Sequence, residues 1–267
     1  MKLISTFFII GFTLNCSFSQ TRNDIVYDFS CLETDAASSS SSLFGDMEKD
    51  MLNMFGTEVS IDEEIELGEA ALKESETNFT FIKKGEKLKK IENILTKLND
   101  VILNPRGFDY KIYLLDTTLL NAFTVGGKIF FTTGMFDFCL NDNEIACIIG
   151  HEISHNELGH ITDQIKRAKT ANSFFGEGIG GVTALIGTIL TTPFNQKNEA
   201  HCDLLGIDLA HAAGYEMCDN VKLWERMSLN EDQENVMGIF SSHPYSIKRS
   251  DCSKRHIESN YNLKCPK

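Results

Sequence analysis

From residue 60 onwards, apolar residues recur every three or four positions in several long stretches, and this spacing predicts amphipathic helices. The first stretch opens with Ser60-Ile61-Asp62-Glu63, in which the serine and the glutamate have the spacing of a capping box. The second ends at Asn104-Pro105-Arg106-Gly107, because proline and glycine both interrupt helices. Further helices are predicted over 147–160, from about Asn198, and over 221–227. The pattern therefore predicts a mostly helical domain.

Three short runs rich in β-branched and aromatic residues lie between the second and third helical stretches. The first is Tyr110 to Leu115. Phe123 to Val125 and Lys128 to Thr133 follow, joined by Gly126-Gly127, which is a hairpin turn sequence. We therefore expect an α+β fold with a small antiparallel sheet whose edge strand borders the helix at 147–160. Such an edge could pair with an extended peptide, and the alternative is a core hairpin that pairs only with itself.

Residues 1–19 have the composition of a secretory signal peptide. The segment begins with the basic Lys2 and continues with an apolar stretch over 3–14 that is too short to span a bilayer as a helix. Small residues precede a cleavage site after Ser19. The alternative is a lipoprotein acylated at Cys16. In both cases the protein is expected to be exported, and to reach the periplasm if its source is a Gram-negative bacterium.

The rest of the chain divides into a leader and one domain. Residues 20–59 form a Ser-rich leader that contains the run Ser38–Ser42 and a possible short helix near 44–55, and its composition predicts flexibility. The domain covers 60–267. Within it, residues 174–192 are rich in glycine and aliphatic side chains, but are too short and too glycine-broken to predict a transmembrane helix. We expect a buried or cleft-lining segment; a mobile lid or a loop that touches a membrane is the alternative.

Charge and cysteine content narrow the class of protein. The net charge of −13 argues against a nucleic-acid partner. Of the eight cysteines, one lies in the predicted signal, and the remaining seven would reach a compartment that permits disulfides. Cys139 and Cys147 are expected to be buried thiols, whereas Cys218, Cys252 and Cys265 are the better candidates for bridges. The odd number leaves at least one thiol unpaired, and the connectivity stays open.

The candidate chemistry lies in the third helical stretch, which reads CIIGHEISHNELGH. On a helix, His151 and His155 are one turn apart on the same face, so both imidazoles can reach one tetrahedral zinc ion. Glu152 can take a proton from the metal-bound water. The apolar residues before the motif favour a buried metal helix over a chance match on a charged face. At about 100° per residue, His160 would point away from these ligands, and we expect a helix-end histidine that is exposed or near the C-terminal dipole.

A second pair of candidate residues lies on the next helix. Glu199 and Asp203 are four residues apart and share a face. Glu199 is a candidate third ligand, because catalytic zinc takes three protein ligands and keeps a fourth position for water. Asp203 could accept a hydrogen bond from a ligand histidine and fix its tautomer. The alternative is a solvated acidic face, which the surrounding apolar residues disfavour. Further on, His243 precedes Arg249 by six residues, and taken alone it would be a loop histidine without a role.

Together these motifs resemble the family-48 zinc metallopeptidases, which are gluzincins and include the CaaX prenyl proteases. The match is closest to the exported, soluble branch of the family. The similar segments, spread over 60–250, are SIDEEIELGEAA, NAFTVGGKIFFTTGMF, IIGHEISH, EAHCDLLGIDLA, GYEMCDNVKLWERM and SSHPYSIKR. Many families share H-E-x-x-H, but its combination with the E-x-x-x-D helix and the His-Pro segment is more specific. The resemblance implies a zincin-type domain with one zinc ion per chain, bound by His151, His155 and Glu199, and Glu152 as general base.

The resemblance also implies roles for residues beyond these ligands. His243 and Arg249 would lie over the metal. His243 would stabilise the oxyanion or occupy the open metal position at rest, and Arg249 would hold Asp203 or the substrate backbone. Residues 123–132 would pair with the substrate. Within them, the strand assigned to this pairing contains Lys128, Ile129, Phe130 and Phe131.

We therefore expect a zinc metalloendopeptidase of the cell envelope or secretory space. It would cleave extended or misfolded protein segments by Glu-assisted attack of a zinc-bound water, which fits quality control of exported proteins. Its partners would be extended peptides; the mature chain could contact a membrane but has no predicted transmembrane helix. The alternatives are a chaperone-like binder that uses the same cleft without turnover, and an envelope protein whose metal only stabilises the fold. A silenced enzyme would be expected to lose Glu152, which is present.

Overall fold

The computed structural model describes residues 25–32, 58–103, 105–175, 182–229, 243 and 246–266. The predicted signal over 1–19, the run Ser38–Ser42 and the short helix near 44–55 lie outside these residues. Among the residues that the structure describes, no helix combines the length and the apolar character needed to cross a bilayer.

Helices make up most of the described chain, as the apolar pattern predicts. They are α1 (Ile61–Asn78), α2 (Glu86–Asn99), α3 (Thr133–Phe138), α4 (Asp142–Glu157), α5 (His160–Phe175), α6 (Val182–Thr191), α7 (Gln196–Ala212), α8 (Cys218–Ser228) and α9 (Ser246–Tyr261). The capping prediction is confirmed, since the Ser60 side chain accepts a hydrogen bond from the backbone N–H of Glu63 at 3.2 Å. The sequence analysis did not predict α3, α5, α6 or α9 as helices.

A four-stranded sheet consists of β1 (Phe81–Ile82), β2 (Lys111–Leu115), β3 (Ala122–Val125) and β4 (Lys128–Thr132), in the order β1-β2-β4-β3. The predicted hairpin joins β3 to β4, and both of its turn residues, Gly126 and Gly127, have positive φ angles. Positive φ at both positions is the geometry that favours glycine in a two-residue hairpin. The prediction of an antiparallel sheet is only partly right, because β2 and β4 are parallel. After β2 the chain passes to the far edge of the sheet, and the hairpin returns β4 between β2 and β3.

This strand order contradicts the assignment of substrate pairing to Lys128–Phe131. These residues belong to β4, which is paired with β2 on one side and with β3 on the other. Its backbone groups are therefore already used within the sheet. In the described part of the chain, the edge that faces the predicted metal helix is β3, Ala122–Val125.

Helix α4 lies at the centre of the domain, and every residue from Glu144 to Asn156 is buried. It crosses α7 where Gly150 and Gly206 meet. A Cβ atom on Gly150 would lie 2.9 Å from the carbonyl oxygen of Gly206, and one on Gly206 would lie 2.8 Å from the amide nitrogen of His151. Because neither position has room for a side chain, the two helix backbones approach closely. This contact brings the N-terminal half of α7 beside the H-E-x-x-H turn of α4.

Residues 25–32, within the predicted leader, are attached to the domain by a Cys31–Cys252 disulfide that joins them to α9. A second disulfide links Cys218 to Cys265. The three bridge candidates from the sequence are thus all paired, with Cys31 as the fourth partner. The remaining cysteines in the described residues are free thiols at positions 139, 147 and 202.

The glycine-rich stretch over 174–192 is described only in part, because residues 176–181 lie outside the described chain. Its second half forms α6, where Ile186 and Ile189 are buried against α1 and α5. This half of the segment therefore packs in the domain, as the preferred interpretation of the sequence predicts.

Candidate metal centre

The three predicted metal ligands meet at one point between α4 and α7. The Nε2 atoms of His151 and His155 are 3.0 Å apart. The carboxylate oxygens of Glu199 lie 3.6 Å from the first of these atoms and 3.4 Å from the second. All three side chains are buried. The two histidines owe their spacing to one turn of α4, whereas Glu199 reaches them across the helix crossing.

These distances fit a tetrahedral metal ion. With metal–ligand bonds of about 2.0–2.1 Å, the ligand atoms of a tetrahedral zinc site are separated by about 3.4 Å. The separations between the three ligand atoms range from 3.0 to 3.6 Å. Two imidazoles and one carboxylate are also a donor set that catalytic zinc sites use. The residues present therefore fit the metal that the sequence predicts.

His243 is a fourth residue beside these atoms and places a third imidazole nitrogen there. Its Nδ1 lies 3.3 Å from Nε2 of His151 and 3.0 Å from a carboxylate oxygen of Glu199. Its other ring nitrogen, Nε2, is 3.9 Å from the carboxylate of Glu152. Nδ1 of His243 thus belongs to the group of side-chain atoms that could hold a metal ion.

Glu152, the predicted general base, is buried next to the metal ligands. It lines a small, mostly apolar cavity together with Phe123 and Thr124 of β3, Phe194, and His243. Burial raises the pKa of Glu152, although the positive charge of His243 partly offsets this effect. A carboxylate with a raised pKa both accepts and returns a proton more readily near neutral pH.

Arg249 joins the metal ligands to α9 through buried ion pairs. Its Nε and Nη2 donate to the two carboxylate oxygens of Asp203, at 2.6 and 2.7 Å. Its Nη1 lies 3.0 Å from Glu199, and its guanidinium lies 3.5 Å from the ring centroid of Trp224. Asp203 in turn meets Nδ1 of His151 at 2.9 Å. Arg249 is thus placed on Asp203, as the resemblance implies.

The sequence of this chain matches the model of peptidase family M48 over residues 86–252, which is more than half of its length. The chain belongs to this family. It is 27% identical over 179 residues to the metalloprotease LoiP of Escherichia coli, covering 62% of this chain and 69% of LoiP. It is 28% identical over 183 residues to the mitochondrial metalloendopeptidase OMA1 of Saccharomyces cerevisiae, covering 60% of this chain and 53% of OMA1.

Other family relatives align over shorter fractions of their own length. The Beta-barrel assembly-enhancing protease of Yersinia pestis is 22% identical over 196 residues, which are 64% of this chain and 39% of that protein. The aligned segments are 44% and 31% of the OMA1 proteins of Schizosaccharomyces pombe and Arabidopsis thaliana. The chain therefore spans about half or less of these OMA1 proteins.

The surroundings hold the predicted ligand residues in the protonation states that metal binding needs. Burial lowers the pKa of His155 to about 3, so its ring is neutral at physiological pH. Burial alone would raise the pKa of Glu199, but the charges of His243 and Arg249 outweigh it and hold this pKa well below its usual range. Burial and Arg249 oppose each other in the same way at Asp203, whose pKa is lowered. A neutral imidazole and ionised carboxylates are the forms that bind a metal.

His160 was predicted to point away from the two histidines, either exposed or near the C-terminal dipole of their helix, and both the direction and the exposure are wrong. It is buried, and its Nδ1 lies 3.3 Å from Nδ1 of His155 and 3.2 Å from Sγ of Cys202. The prediction extended the rotation of α4 past its end, but α4 stops at Glu157 and Gly159 has a φ of 77°. The chain therefore reverses, and His160 begins α5. The glycine before His160 was the available sign that the helix ends there.

Proposed function

We propose that this chain is a zinc-dependent metalloendopeptidase of the cell envelope or secretory space that cleaves extended or misfolded protein segments. The observation that carries the proposal is the juxtaposition of three parts within one buried site: the ligand atoms, the carboxylate of Glu152 and the edge strand β3. The names of the relatives, metalloprotease and metalloendopeptidase, support peptide hydrolysis. The predicted signal over 1–19 and the two disulfides support an oxidising compartment outside the cytoplasm.

In this proposal His151, His155 and Glu199 hold the zinc ion. Bound zinc polarises the scissile carbonyl and lowers the pKa of the attacking water. Glu152 accepts the proton of that water and passes it to the leaving amine. The cavity walls on either side of Glu152 exclude bulk solvent from the proton transfer.

The substrate pairs with β3 rather than with Lys128–Phe131. In a two-residue hairpin the closing pair, here Val125 and Lys128, exchanges both hydrogen bonds, so the N–H and C=O groups of Thr124 and Ala122 point away from β4. An extended peptide can pair with these groups. Thr124 also lines the cavity that contains Glu152, so such a peptide is held beside the base. Backbone pairing needs an accessible extended segment, which misfolded proteins offer and native folds rarely do.

Cleavage of unfolded casein by the mature chain, residues 20–267, beside Glu152→Gln tests the enzymatic part. Bound zinc is quantified in both proteins. We expect equal zinc and cleavage by the parent only, because the amide keeps the shape of Glu152 but cannot act as the base. Turnover by Glu152→Gln would remove Glu152 from the mechanism.

Peptide substrates with single methylated backbone nitrogens test the pairing without altering the protein. Only alternate residues of a strand face its partner, so methylation should block cleavage at alternate positions along the peptide. Peptides of identical sequence, methylated at the positions in between, are the control. Equal cleavage of both sets would contradict pairing along β3.

A second candidate function is one without turnover, as a chaperone-like binder or as an envelope protein whose metal only stabilises the fold, and one observation favours it. His243 brings a fourth protein ligand to the metal group, and structural zinc sites close with four protein ligands. His243→Ala separates the possibilities when the parent binds zinc without cleaving casein. Cleavage by the variant would show that His243 closes the site at rest, whereas inactivity of both would support the binder.

A further inference from the structure

The two ligand histidines on α4 differ in what holds their second ring nitrogen. Nδ1 of His151 meets the carboxylate of Asp203, whereas Nδ1 of His155 lies 3.3 Å from Nδ1 of His160. We propose that His160 is a positioning residue of the metal centre, which accepts the Nδ1 hydrogen of His155 and thereby directs Nε2 of His155 at the metal. This inference rests on the proposed function in one respect, namely that Nε2 of His155 is a ligand atom.

The hydrogen positions follow from the geometry. Nε2 of His155 lies 3.0 Å from Nε2 of His151 and 3.4 Å from Glu199, so it belongs to the ligand group and its lone pair must be free. A neutral imidazole carries one hydrogen, which must then be on Nδ1. Nδ1 of His160 faces this hydrogen and can only accept it. The hydrogen of His160 itself is consequently on its Nε2.

Cys202 supplies a second donor to the same acceptor. Its Sγ lies 3.2 Å from Nδ1 of His160, and burial raises the pKa of the thiol well above its usual range, so it keeps its hydrogen. The acceptor nitrogen of His160 is therefore approached from α4 by His155 and from α7 by Cys202. Two donors from two helices fix the direction in which the imidazole of His160 faces.

The charges already buried in the metal centre favour an uncharged hydrogen-bond partner for His155. The centre already contains the buried carboxylates of Glu152, Glu199 and Asp203. The charge of Asp203, the partner of His151, is matched by Arg249 at 2.6 Å. An imidazole accepts the hydrogen of His155 without adding a negative charge that would need its own counterion.

Zinc affinity, measured by competition with a coloured chelator, tests the inference. All variants carry Glu152→Gln, so that the measurement is independent of turnover and self-cleavage. His160→Leu removes the acceptor, and loss of such a partner typically weakens metal binding about 10–100-fold. His160→Asn places an amide oxygen near the position of Nδ1 and should recover most of the affinity. His211→Leu is the control, since the ring of His211 packs against Tyr261, with ring centroids 4.8 Å apart, at the far end of α7 from the metal centre.

Three outcomes are decisive. Weaker binding in His160→Leu, recovery in His160→Asn and no change in His211→Leu would support the positioning role. Unchanged affinity in His160→Leu would overturn it. Equal losses in the leucine and asparagine variants, with equally reduced thermal stability without metal, would also overturn it and indicate a packing role. If the parent and His243→Ala both bind zinc but neither cleaves casein, the proposed function fails while this inference stands.

Discussion

Replacing Arg249 with methionine removes a positive charge that is only 1% exposed and that lies beside two buried carboxylates. The guanidinium donates twice to Asp203, at 2.6 and 2.7 Å, and lies 3.0 Å from Glu199. Methionine keeps an apolar, flexible side chain against Trp224, which limits the loss of packing. The change in stability of this variant therefore measures mainly the loss of the positive charge.

The size of the expected loss of stability follows from the carboxylates that stay buried without the arginine. Removing one partner of a buried ion pair costs about 3–5 kcal/mol, because the other charge remains buried without compensation. Glu199 keeps its contact with His243 at 3.0 Å, so we do not add a second full cost for this carboxylate. The free energy of unfolding should fall by about 3–5 kcal/mol without metal. For a domain of this size, 1 kcal/mol corresponds to about 2–4 °C in Tm, so Tm should fall by about 6–20 °C.

Urea unfolding followed by circular dichroism measures this loss, with and without zinc. Bound zinc should restore part of the lost free energy of unfolding, because the ion replaces the missing positive charge beside Glu199 but not beside Asp203. The matched control is Arg255→Met on the same helix, because Arg255 pairs with Asp251 at the surface, where both side chains are about half exposed. Exposed pairs contribute about 0–1 kcal/mol. A loss below about 1 kcal/mol in Arg249→Met would refute the reasoning.

Three further changes test other parts of the structure. Gly206→Ala should cost about 1–3 kcal/mol and weaken zinc binding, because the new Cβ would lie 2.8 Å from the amide nitrogen of His151; an unchanged Tm and zinc affinity would contradict the close crossing. Cys252→Ser opens the bridge to Cys31 and should lower the free energy of unfolding by about 2–5 kcal/mol in oxidising buffer, with most of the difference lost once the parent is reduced. Glu199→Ala should lower the zinc content under chelator competition, and unchanged content would place the third ligand elsewhere.

Features that depend on neighbouring residues could be predicted from the sequence. The spacing of His151 and His155 is a property of one helical turn, and the same holds for Glu199 and Asp203 on α7. The glycine pair between β3 and β4 likewise predicts its hairpin, because only residues tolerant of positive φ fit that turn. Each of these inferences needs a few consecutive residues and a known period.

Features that depend on distant parts of the chain could not be predicted in this way. The central position of β4 follows from its pairing with β2, which is separated from it in sequence by the whole of β3. Nothing in the sequence around Cys31 indicates that its disulfide partner is Cys252, which is 221 residues away. His160 was misplaced because one residue, Gly159, reverses the chain before it. These positions are decided by the pairing of distant strands and by reversals of the chain. The periodicity of apolar residues within one helix or strand carries no information about either.

The metal group depends on one crossing between helices more than on any single ligand. Glu199, Asp203 and Gly206 lie at positions i, i+4 and i+7 of α7, so they share the face that is pressed against α4. Gly150, on the other side of the contact, immediately precedes His151. A side chain that widens this crossing would therefore move both Glu199 and Asp203 away from His151. Metal affinity and the orientation of His151 should consequently be lost in parallel in Gly206→Ala, whereas Glu199→Ala should remove the ligand and leave the contact between Asp203 and His151 in place.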